Sequence, residues 1–187
     1  MSKFLVIAEK PSVAQSYAKN LSAYKREDGY LEGESCIVSW CLGHLAEYAQ
    51  PEEYDSKYEK WQFDDLPILP EAWKLKVSKD KKKQFDVLKG LMNRSDVEYL
   101  VNGCDAGREG ELIFQRVYDL AGCRKPVKRL WISSMEDAAI QKGFQTMKSE
   151  EEYKNLCMAA VCRAQADWLI GMNGTRAYTT RYFKRLV

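Results

Sequence analysis

Two short apolar runs, each followed by a carboxylate and then by a helical pattern, constrain the fold of this 187-residue chain more than any other feature. The first run, Phe4–Ala8, precedes Glu9, and the second, Val97–Cys104, precedes Asp105. Short runs rich in branched side chains are typical of strands that are buried on both faces of a parallel sheet. Because parallel strands end at the same edge of a sheet, the pattern predicts both carboxylates at the edge where open α/β sheets bind ligands.

Further strand and helix patterns alternate along the first 150 residues, which favours an α/β fold with a parallel sheet flanked by helices. The acidic stretch from Pro51 to Pro70 has no sustained period and is predicted to be a long loop with local turns. From Glu150 onward apolar residues recur at helical spacing, so a separate helical element is expected there. We predict strands at Phe4–Ala8, Ser35–Cys41, Trp73–Val77, Val97–Cys104 and Lys128–Ser133, and helices at Pro11–Leu21, Lys81–Met92, Gly110–Ala121 and Met135–Met147.

Composition excludes several protein classes. Hydrophobic residues make up 45% of the chain and charged residues 30%, which is typical of a globular protein with its own core. No apolar run reaches the roughly 18 residues of a membrane helix, and the apolar segment of a secretory signal is missing, so we expect a cytoplasmic protein. Six cysteines without a C-x-x-C pair, beside one histidine, indicate reduced thiols rather than disulfides or a zinc site.

Charge alone does not indicate a nucleic-acid-binding protein, because the formal net charge is only +2. The distribution is uneven, however. From Arg163 to the end of the chain five basic residues stand against one acidic residue. This basic end has the charge to meet phosphates, and it is equally compatible with an ordinary solvated surface.

The segment Asn102–Ile113 is the most informative about chemistry, because an apolar strand passes into carboxylates and glycines that packing does not require. Asp105, Glu109 and Glu111 lie within one turn of chain, and three glycines allow a ligand to approach the backbone closely. Clustered carboxylate oxygens suit Mg²⁺, to which a phosphodiester can add further ligands. The alternative is that Asp105 caps the following helix while the two glutamates complement its dipole. The glycine spacing fits neither G-x-G-x-x-G nor a P-loop.

Glu9 strengthens the metal hypothesis, because it would lie beside Asp105 if the two strands are neighbours in the sheet. Two carboxylates on two strand ends are hard to explain as helix caps. Like charges this close repel unless a cation or basic side chains neutralise them. Lys10 and Arg108 are the basic residues nearest in sequence. Phosphoryl-transfer chemistry is the function that such a site favours.

Five segments in chain order carry a family resemblance: Ile7–Ala14, Trp40–Leu45, Asp105–Ile113, Leu130–Met135 and Ala166–Arg176. They resemble the motifs of type IA DNA topoisomerases, most closely the bacterial topoisomerase III group of that family. The resemblance implies a Toprim fold, a Rossmann-like α/β unit with a parallel sheet flanked by helices, over residues 1–150. It further implies that residues 151–187 begin a helical DNA-binding domain.

The resemblance also implies roles for the acidic residues. Glu9 resembles the family's general acid/base or metal-binding glutamate, and Asp105 its first metal-binding aspartate. Glu109 resembles the glutamate that ends the family's D-x-D-x-E pattern, so these three residues are the expected Mg²⁺ ligands. Gly107 departs from the pattern, because it stands where a second aspartate often occurs and removes one ligand.

Basic and aromatic residues receive roles from the same resemblance. Lys10 resembles the active-site lysine beside the scissile phosphate, and Arg108 is expected to help neutralise phosphate charge. Arg163 with Asp167 is equally compatible with a helix salt pair, and Trp61 with an anchor that holds its long loop in a core. His44 is also compatible with a turn histidine that has no role at the site. The expected DNA-contacting residues are Trp61, Arg163, Asp167, Arg176 and His44.

The function implied by the resemblance is that of an enzyme: cutting single-stranded DNA, passing a strand and religating the cut through a 5′-phosphotyrosine link, with Mg²⁺ and without ATP. None of the 11 tyrosines stands in the family's nucleophile motif, so the chain is expected to be the N-terminal part of a longer topoisomerase that does not relax DNA alone. Its expected partners are single-stranded DNA and the remaining domains, in a nucleoid-associated, cytoplasmic setting without a membrane. The alternatives are a primase- or nuclease-like Toprim phosphoryl transferase and a non-catalytic nucleic-acid-binding module.

Overall fold

The computed structural model of the chain describes residues 2–182, so Met1 and residues 183–187, with the basic residues Lys184 and Arg185, lie outside it. The chain divides into two compact units. The sheet unit comprises Met1–Glu47 and Val77–Ala160, and the loop–helix unit comprises Tyr48–Lys76 and Val161–Val187. None of the helices among the described residues has the length and apolarity needed to cross a membrane. The domain boundary predicted after residue 150 stays a prediction.

Nine strands and five α-helices make up the regular structure of residues 2–182. The strands are β1 (Lys3–Ala8), β2 (Lys25–Glu27), β3 (Tyr30–Glu32), β4 (Cys36–Trp40), β5 (Ala46–Tyr48), β6 (Leu75–Val77), β7 (Val97–Gly103), β8 (Val127–Arg129) and β9 (Lys148–Ser149). The helices are α1 (Pro11–Asn20), α2 (Lys82–Met92), α3 (Arg108–Ala121), α4 (Asp137–Gln145) and α5 (Lys154–Tyr182).

Seven strands form one sheet in the order β2-β3-β4-β1-β7-β8-β9, while β5 and β6 form a separate two-stranded sheet. The central strands β4, β1, β7 and β8 are parallel, as predicted. The outer pairs β2–β3, β3–β4 and β8–β9 are antiparallel, so the complete sheet is mixed. The hairpin β2–β3 was not predicted, although Asp28-Gly29 between its strands is a hairpin-turn sequence and Gly29 adopts a φ of 87°.

The sheet is covered on both faces, which explains why its central strands are apolar on both sides. Along β1, Leu5 and Ile7 pack against α2 and α3, whereas Val6 and Ala8 pack against α1 and α4. This alternation follows from the period of two in a strand. Two buried clusters, one on each face, therefore form the core of the sheet unit.

Helix boundaries follow local sequence signals. Pro11 occupies the first turn of α1, where its missing N–H costs nothing. α3 begins at Arg108, two residues before the predicted Gly110, and ends at Gly122, whose φ of 64° is the left-handed helix-ending conformation. The predicted strand from Lys128 to Ser133 was too long, because β8 ends at Arg129, opposite the last paired residues of β7.

The loop–helix unit holds the predicted long loop against the second half of α5. The loop contains only short 3₁₀ turns, which confirms the prediction of a loop with local turns. Trp168 Nε1 donates to the Ala49 carbonyl at 3.1 Å. The Asn173 amide both accepts from the Ile68 N–H at 2.6 Å and donates to the Ile68 carbonyl at 3.0 Å. Side chains of the helix thus replace the strand partners that the loop lacks.

Candidate active site

Glu9 and the segment bearing Asp105 lie side by side at the carboxyl edge of the sheet. β1 and β7 are parallel neighbours, and Ala8 is paired with Gly103, so the segments that follow the two strands leave the sheet at the same level. The two strands are thus neighbours, which is the condition under which Glu9 was expected to lie beside Asp105. On the other side of β1, the Gly43 N–H donates to the Glu9 carbonyl at 3.3 Å, which brings the turn after β4 to the same edge.

The Glu9 side chain has an unsatisfied acceptor. It is only 9% exposed, and its atom Oε2 is buried without a hydrogen-bond partner among residues 2–182. Oε1 lies 3.8 Å from Lys10 Nζ, which is more than half exposed. A buried carboxylate oxygen without a donor is costly unless a cation or a ligand proton satisfies it. The Glu9 carboxylate therefore fits a magnesium ligand or a proton acceptor.

The backbone at Asp105 is tightly packed while its side chain is exposed. A Cβ on Gly110 would lie 2.0 Å from the Asp105 carbonyl oxygen, so only glycine allows this approach. The residue preceding α3 is Gly107, and no side chain caps the helix there. The alternative interpretation of Asp105 as a helix cap is therefore wrong, and its carboxylate remains available at the sheet edge.

The other two carboxylates of this segment have separate surroundings. Glu109 is exposed in the first turn of α3, and its Oε2 lies 3.3 Å from His44 Nε2. Glu111 is fully buried and pairs with Arg129. Among the described residues, no three His, Cys, Asp or Glu side chains are placed together to hold a metal ion. Among residues 2–182 the structure therefore does not assemble the three expected ligands Glu9, Asp105 and Glu109 into one preformed site, and Mg²⁺ binding by them stays a prediction. Mg²⁺ commonly keeps several waters and binds through one or two carboxylates plus substrate phosphates.

Arg129 is the main residue of this region that sequence reasoning missed. Its Nε donates to Glu111 Oε1 at 2.5 Å, and the two side chains are both fully buried. The only sequence signal was an arginine between Lys128 and Leu130 in a predicted strand, which does not by itself distinguish a buried side chain from an exposed one. The Asn102 amide extends the pair by donating to Glu111 and to Glu150, each at 3.2 Å.

Glu150 completes this buried polar network from the segment after β9. Burial, together with the neighbouring carboxylate of Glu111, raises the pKa of Glu150 to about 7. Hydrogen bonding from Asn102 and the charge of Arg129 oppose the shift. The network thus contains two acidic side chains and one basic side chain beneath the Asp105 segment.

Tyr17 connects α1, which follows Glu9, with the end of β7. Its hydroxyl donates to the Gly103 carbonyl at 3.0 Å, and burial raises its pKa. Its ring also lies edge-on to Phe144 of α4 at 5.8 Å between centroids. This hydrogen bond fixes the spacing of the two segments that carry the candidate catalytic carboxylates.

The cysteines near this edge are structural. None of the six cysteines forms a disulfide in this structure. A hydrogen bond with Cys41 and burial raise the pKa of Cys104. Both thiols lie in the core cluster under the carboxyl edge, where they act as small apolar side chains.

The remaining predicted site residues fall in two places. Lys10, Arg108 and His44 are exposed in the sheet unit, where His44 meets Glu109. In the loop–helix unit, Arg163 Nε lies 3.6 Å from Asp167 Oδ2, so the salt pair that was one alternative is present, with both side chains more than half exposed.

Arg176 and Trp61 form one assembly of the loop–helix unit. The Arg176 guanidinium donates to the Tyr58 carbonyl at 2.7 Å, pairs with Glu52 at 3.3 Å and lies 5.0 Å from the Trp61 ring centroid. Arg176 is 3% exposed, so in this arrangement it holds the loop. The Trp61 side chain is 45% exposed, so the alternative of a core anchor is wrong.

Comparisons with known proteins agree with this geometry. The Toprim domain model matches residues 4–135. DNA topoisomerase 3 of Bacillus subtilis (strain 168) is 50% identical over 186 residues, and that of Bacillus cereus (strain ATCC 10987 / NRS 248) is 52% identical over the same length. Each match covers 100% of this chain and 26% of the relative, so the chain spans about a quarter of their length.

Among solved structures, full-length topoisomerase I from Thermotoga maritima superposes with a TM-score of 0.52 at 18% identity, over 80% of this chain and 22% of that chain. This likeness supports the fold. The residues matched by the family model include both carboxylate-bearing strand ends and the two neighbouring parallel strands, β1 and β7, that lead to them. The chain therefore belongs to the Toprim domain family.

Proposed function

We propose that this chain is the Toprim part of a type IA DNA topoisomerase and that, with the remaining domains of a longer protein, it helps to cut, pass and religate single-stranded DNA. The 50% identity with a topoisomerase 3 along the whole chain supports this assignment. The observation that carries the chemistry is the placement of Glu9 and Asp105 on adjacent strand ends, with one buried Glu9 oxygen lacking a partner.

In this proposal Glu9, Asp105 and Glu109 hold Mg²⁺ with help from the DNA phosphate. The ion, when bound, supplies positive charge that stabilises the phosphodiester during cleavage and religation. The alternative role for Glu9 is general acid/base catalysis: a protonated Glu9 that does not hold the ion would give its proton to the leaving 3′ oxygen during cleavage and take it back during religation. Lys10 and Arg108, both exposed at this edge, neutralise the remaining phosphate charge.

The nucleophile in the proposed reaction is a tyrosine outside this sequence, which forms the 5′-phosphotyrosine link. Because this tyrosine is outside the sequence, we expect that the chain by itself does not relax DNA. The proposed reaction needs no ATP. The proposed setting is the cytoplasm, at the nucleoid.

Proposed DNA contacts involve residues from both units. The exposed Trp61 ring suits stacking with an unpaired base, which is favourable for every base type. Arg163 and Asp167 are exposed enough to meet the cleaved strand, as is His44. Arg176 contributes by supporting the Trp61 ring, since its own guanidinium is occupied by the loop.

The first prediction concerns Mg²⁺ binding by the chain. We expect saturable Mg²⁺ binding that is strengthened by single-stranded DNA, because the phosphate adds ligands to a site with few carboxylates. Glu9→Gln and Asp105→Asn should each weaken the binding about 10-fold or more, since each removes a charged oxygen donor. Isothermal titration calorimetry, with and without an oligonucleotide, measures both effects.

Glu98→Gln is the matched control, because Glu98 is an exposed carboxylate at the opposite end of β7. It should bind Mg²⁺ as the wild type does. An equal loss in all three variants, or no saturable binding even with DNA present, would contradict the proposed metal site. Mg²⁺ binding without any DNA binding would contradict the proposed DNA contacts of this chain while supporting the metal site.

A further inference from the structure

The Arg129 side chain forms hydrogen bonds with the backbone of the segment that carries Asp105. Its Nη1 donates to the carbonyls of Asn102 at 3.0 Å and Cys104 at 2.7 Å, and its Nη2 donates to the carbonyl of Asp105 at 2.8 Å. A further bond from Nη1 reaches the Leu130 carbonyl at 2.9 Å. One side chain thus binds three carbonyl groups of the candidate metal-binding segment.

The guanidinium is itself held in place. Its Nε faces Glu111 Oε1 in a pair with no exposed surface on either side chain. Since Glu111 stands in the first turn of α3 and Arg129 ends β8, the pair connects the helix that follows the Asp105 segment with the sheet neighbour of β7, the strand that precedes it. A planar group with five donors in fixed directions suits this task, whereas an ammonium group presents its donors from one atom.

The Asp105 carbonyl is confined from a second side. Gly110 approaches it so closely that a Cβ there would lie 2.0 Å away. The carbonyl therefore lies between Gly110 and the Arg129 guanidinium, while the carboxylate of the same residue is exposed. Fixing the buried carbonyl of Asp105 therefore determines the position of its exposed carboxylate.

We propose that Arg129 is a positioning residue that holds the Asp105 backbone in the conformation its carboxylate needs to bind a divalent cation. This inference rests on the proposed function for its metal, and it adds a residue that itself touches neither metal nor DNA. Residues that orient metal ligands commonly contribute about 10–100-fold to metal affinity. A positioning role for Arg129 predicts an effect of that size.

Arg129→Lys tests the proposal, because lysine keeps the positive charge beside Glu111 and loses the fork that reaches the carbonyls. We expect the Mg²⁺ affinity of the folded variant to fall about 10-fold or more, measured by calorimetry well below its unfolding temperature. The control is Arg94→Lys. Arg94 is also ion-paired, with Glu32 and Asp96, but lies before the amino end of β7. It should bind Mg²⁺ as the wild type does.

A second readout separates positioning from general destabilisation. Amide hydrogen exchange should accelerate in Arg129→Lys at Cys104, whose N–H donates to Asn102 Oδ1, and at Leu130, whose N–H donates to the Asn102 carbonyl that Arg129 also binds. It should remain unchanged in β1 and in the amino-terminal half of β7. A uniform acceleration with unchanged relative Mg²⁺ affinity would overturn the proposal. If Arg129→Lys does not fold, Glu111→Gln, which removes the charge that orients the guanidinium, is measured in the same two ways.

The outcomes distinguish this inference from the proposed function. Absence of Mg²⁺ binding in the wild-type chain, with and without single-stranded DNA, would contradict the proposed metal site and this inference with it. Normal Mg²⁺ binding in a folded Arg129→Lys chain would overturn only the inference. In the wild type, slowly exchanging Arg129 Nη hydrogens in NMR spectra would support the hydrogen bonds between the guanidinium and the backbone carbonyls. Rapidly averaged signals would contradict them.

Discussion

Single residues determine the backbone conformation at the sheet edge, and at position 110 only glycine is compatible with it. The carbonyl of Asp105 occupies the space where any other residue at position 110 would place its Cβ. We expect Gly110→Ala to displace the Asp105 segment and to lower the free energy of unfolding by about 1–3 kcal/mol or more, as overpacking does. Urea denaturation followed by circular dichroism measures the loss.

Gly90→Ala is the matched control for that substitution. Gly90 lies on the exposed surface of α2, and a Cβ there would meet nothing within 4 Å. Because alanine is the better helix former, the control should gain about 0.5–1 kcal/mol. Equal effects of the two substitutions would mean that the close approach of Asp105 to Gly110 does not govern stability.

Whole elements are connected at the amino end of the sheet by a charged cluster opposite the candidate site. Glu32 of β3 accepts from Lys3 of β1 at 2.7 Å and from Arg94 at 2.9 Å. These hydrogen bonds, first from Lys3 and then from Arg94, lower the pKa of Glu32 below 4.5. A lowered pKa means that the carboxylate stabilises the fold above pH 4.5 and loses this effect as the pH falls through the folded-state value.

Glu32→Gln tests the contribution of this cluster. The variant should be less stable than the wild type at neutral pH, since two basic side chains lose their shared counter-charge. The difference should shrink below pH 4.5, where the wild-type carboxyl becomes protonated. Urea midpoints measured across that range check this, and a difference independent of pH would contradict the ionic explanation.

At the same scale, particular elements show what the sequence could predict. β1 and β7 were predicted from continuous apolar runs, and α1 and α3 from helical spacing with a clear boundary signal. Glu9 and Asp105 follow adjacent strand ends because β1 and β7 are neighbours in the sheet, which the sequence does not specify. The short strands β2, β3, β5 and β9 were missed, because two or three residues carry no period. The Arg129–Glu111 pair was missed because it joins residues 18 positions apart in the chain. Burial of a charged side chain is decided by a partner brought close only by the fold.

The stability of the whole molecule should depend on pH in two opposite ways. Burial raises the pKa of Glu150 to about 7, above its ordinary 4.5, so the folded chain holds this proton more tightly than the unfolded chain. The contribution of protonated Glu150 to the free energy of unfolding is therefore fully present below pH 4.5 and is lost as the pH rises towards 7. The charged groups facing Glu150 are Glu111 and Arg129, and its charge also affects Cys157.

Glu150→Gln should remove this decline. The variant keeps an oxygen to accept from Asn102 and carries no charge, so its free energy of unfolding should exceed that of the wild type above pH 7. Below pH 4.5 the two proteins should be similar. Thermal or urea unfolding at several pH values gives the comparison, and a wild-type advantage at high pH would contradict a raised pKa of Glu150 in the folded chain.

Asn173 has a consequence for how the loop–helix unit opens. Its side chain is bonded to both the N–H and the carbonyl of Ile68, and it also donates to Leu169 one turn earlier in α5. Loop and helix thus share a single amide group, and neither can unwind at this point without breaking bonds of the other. The exchange rate of one backbone hydrogen, that of Ile68, therefore reports the opening of α5 at Asn173, 105 residues further along the chain.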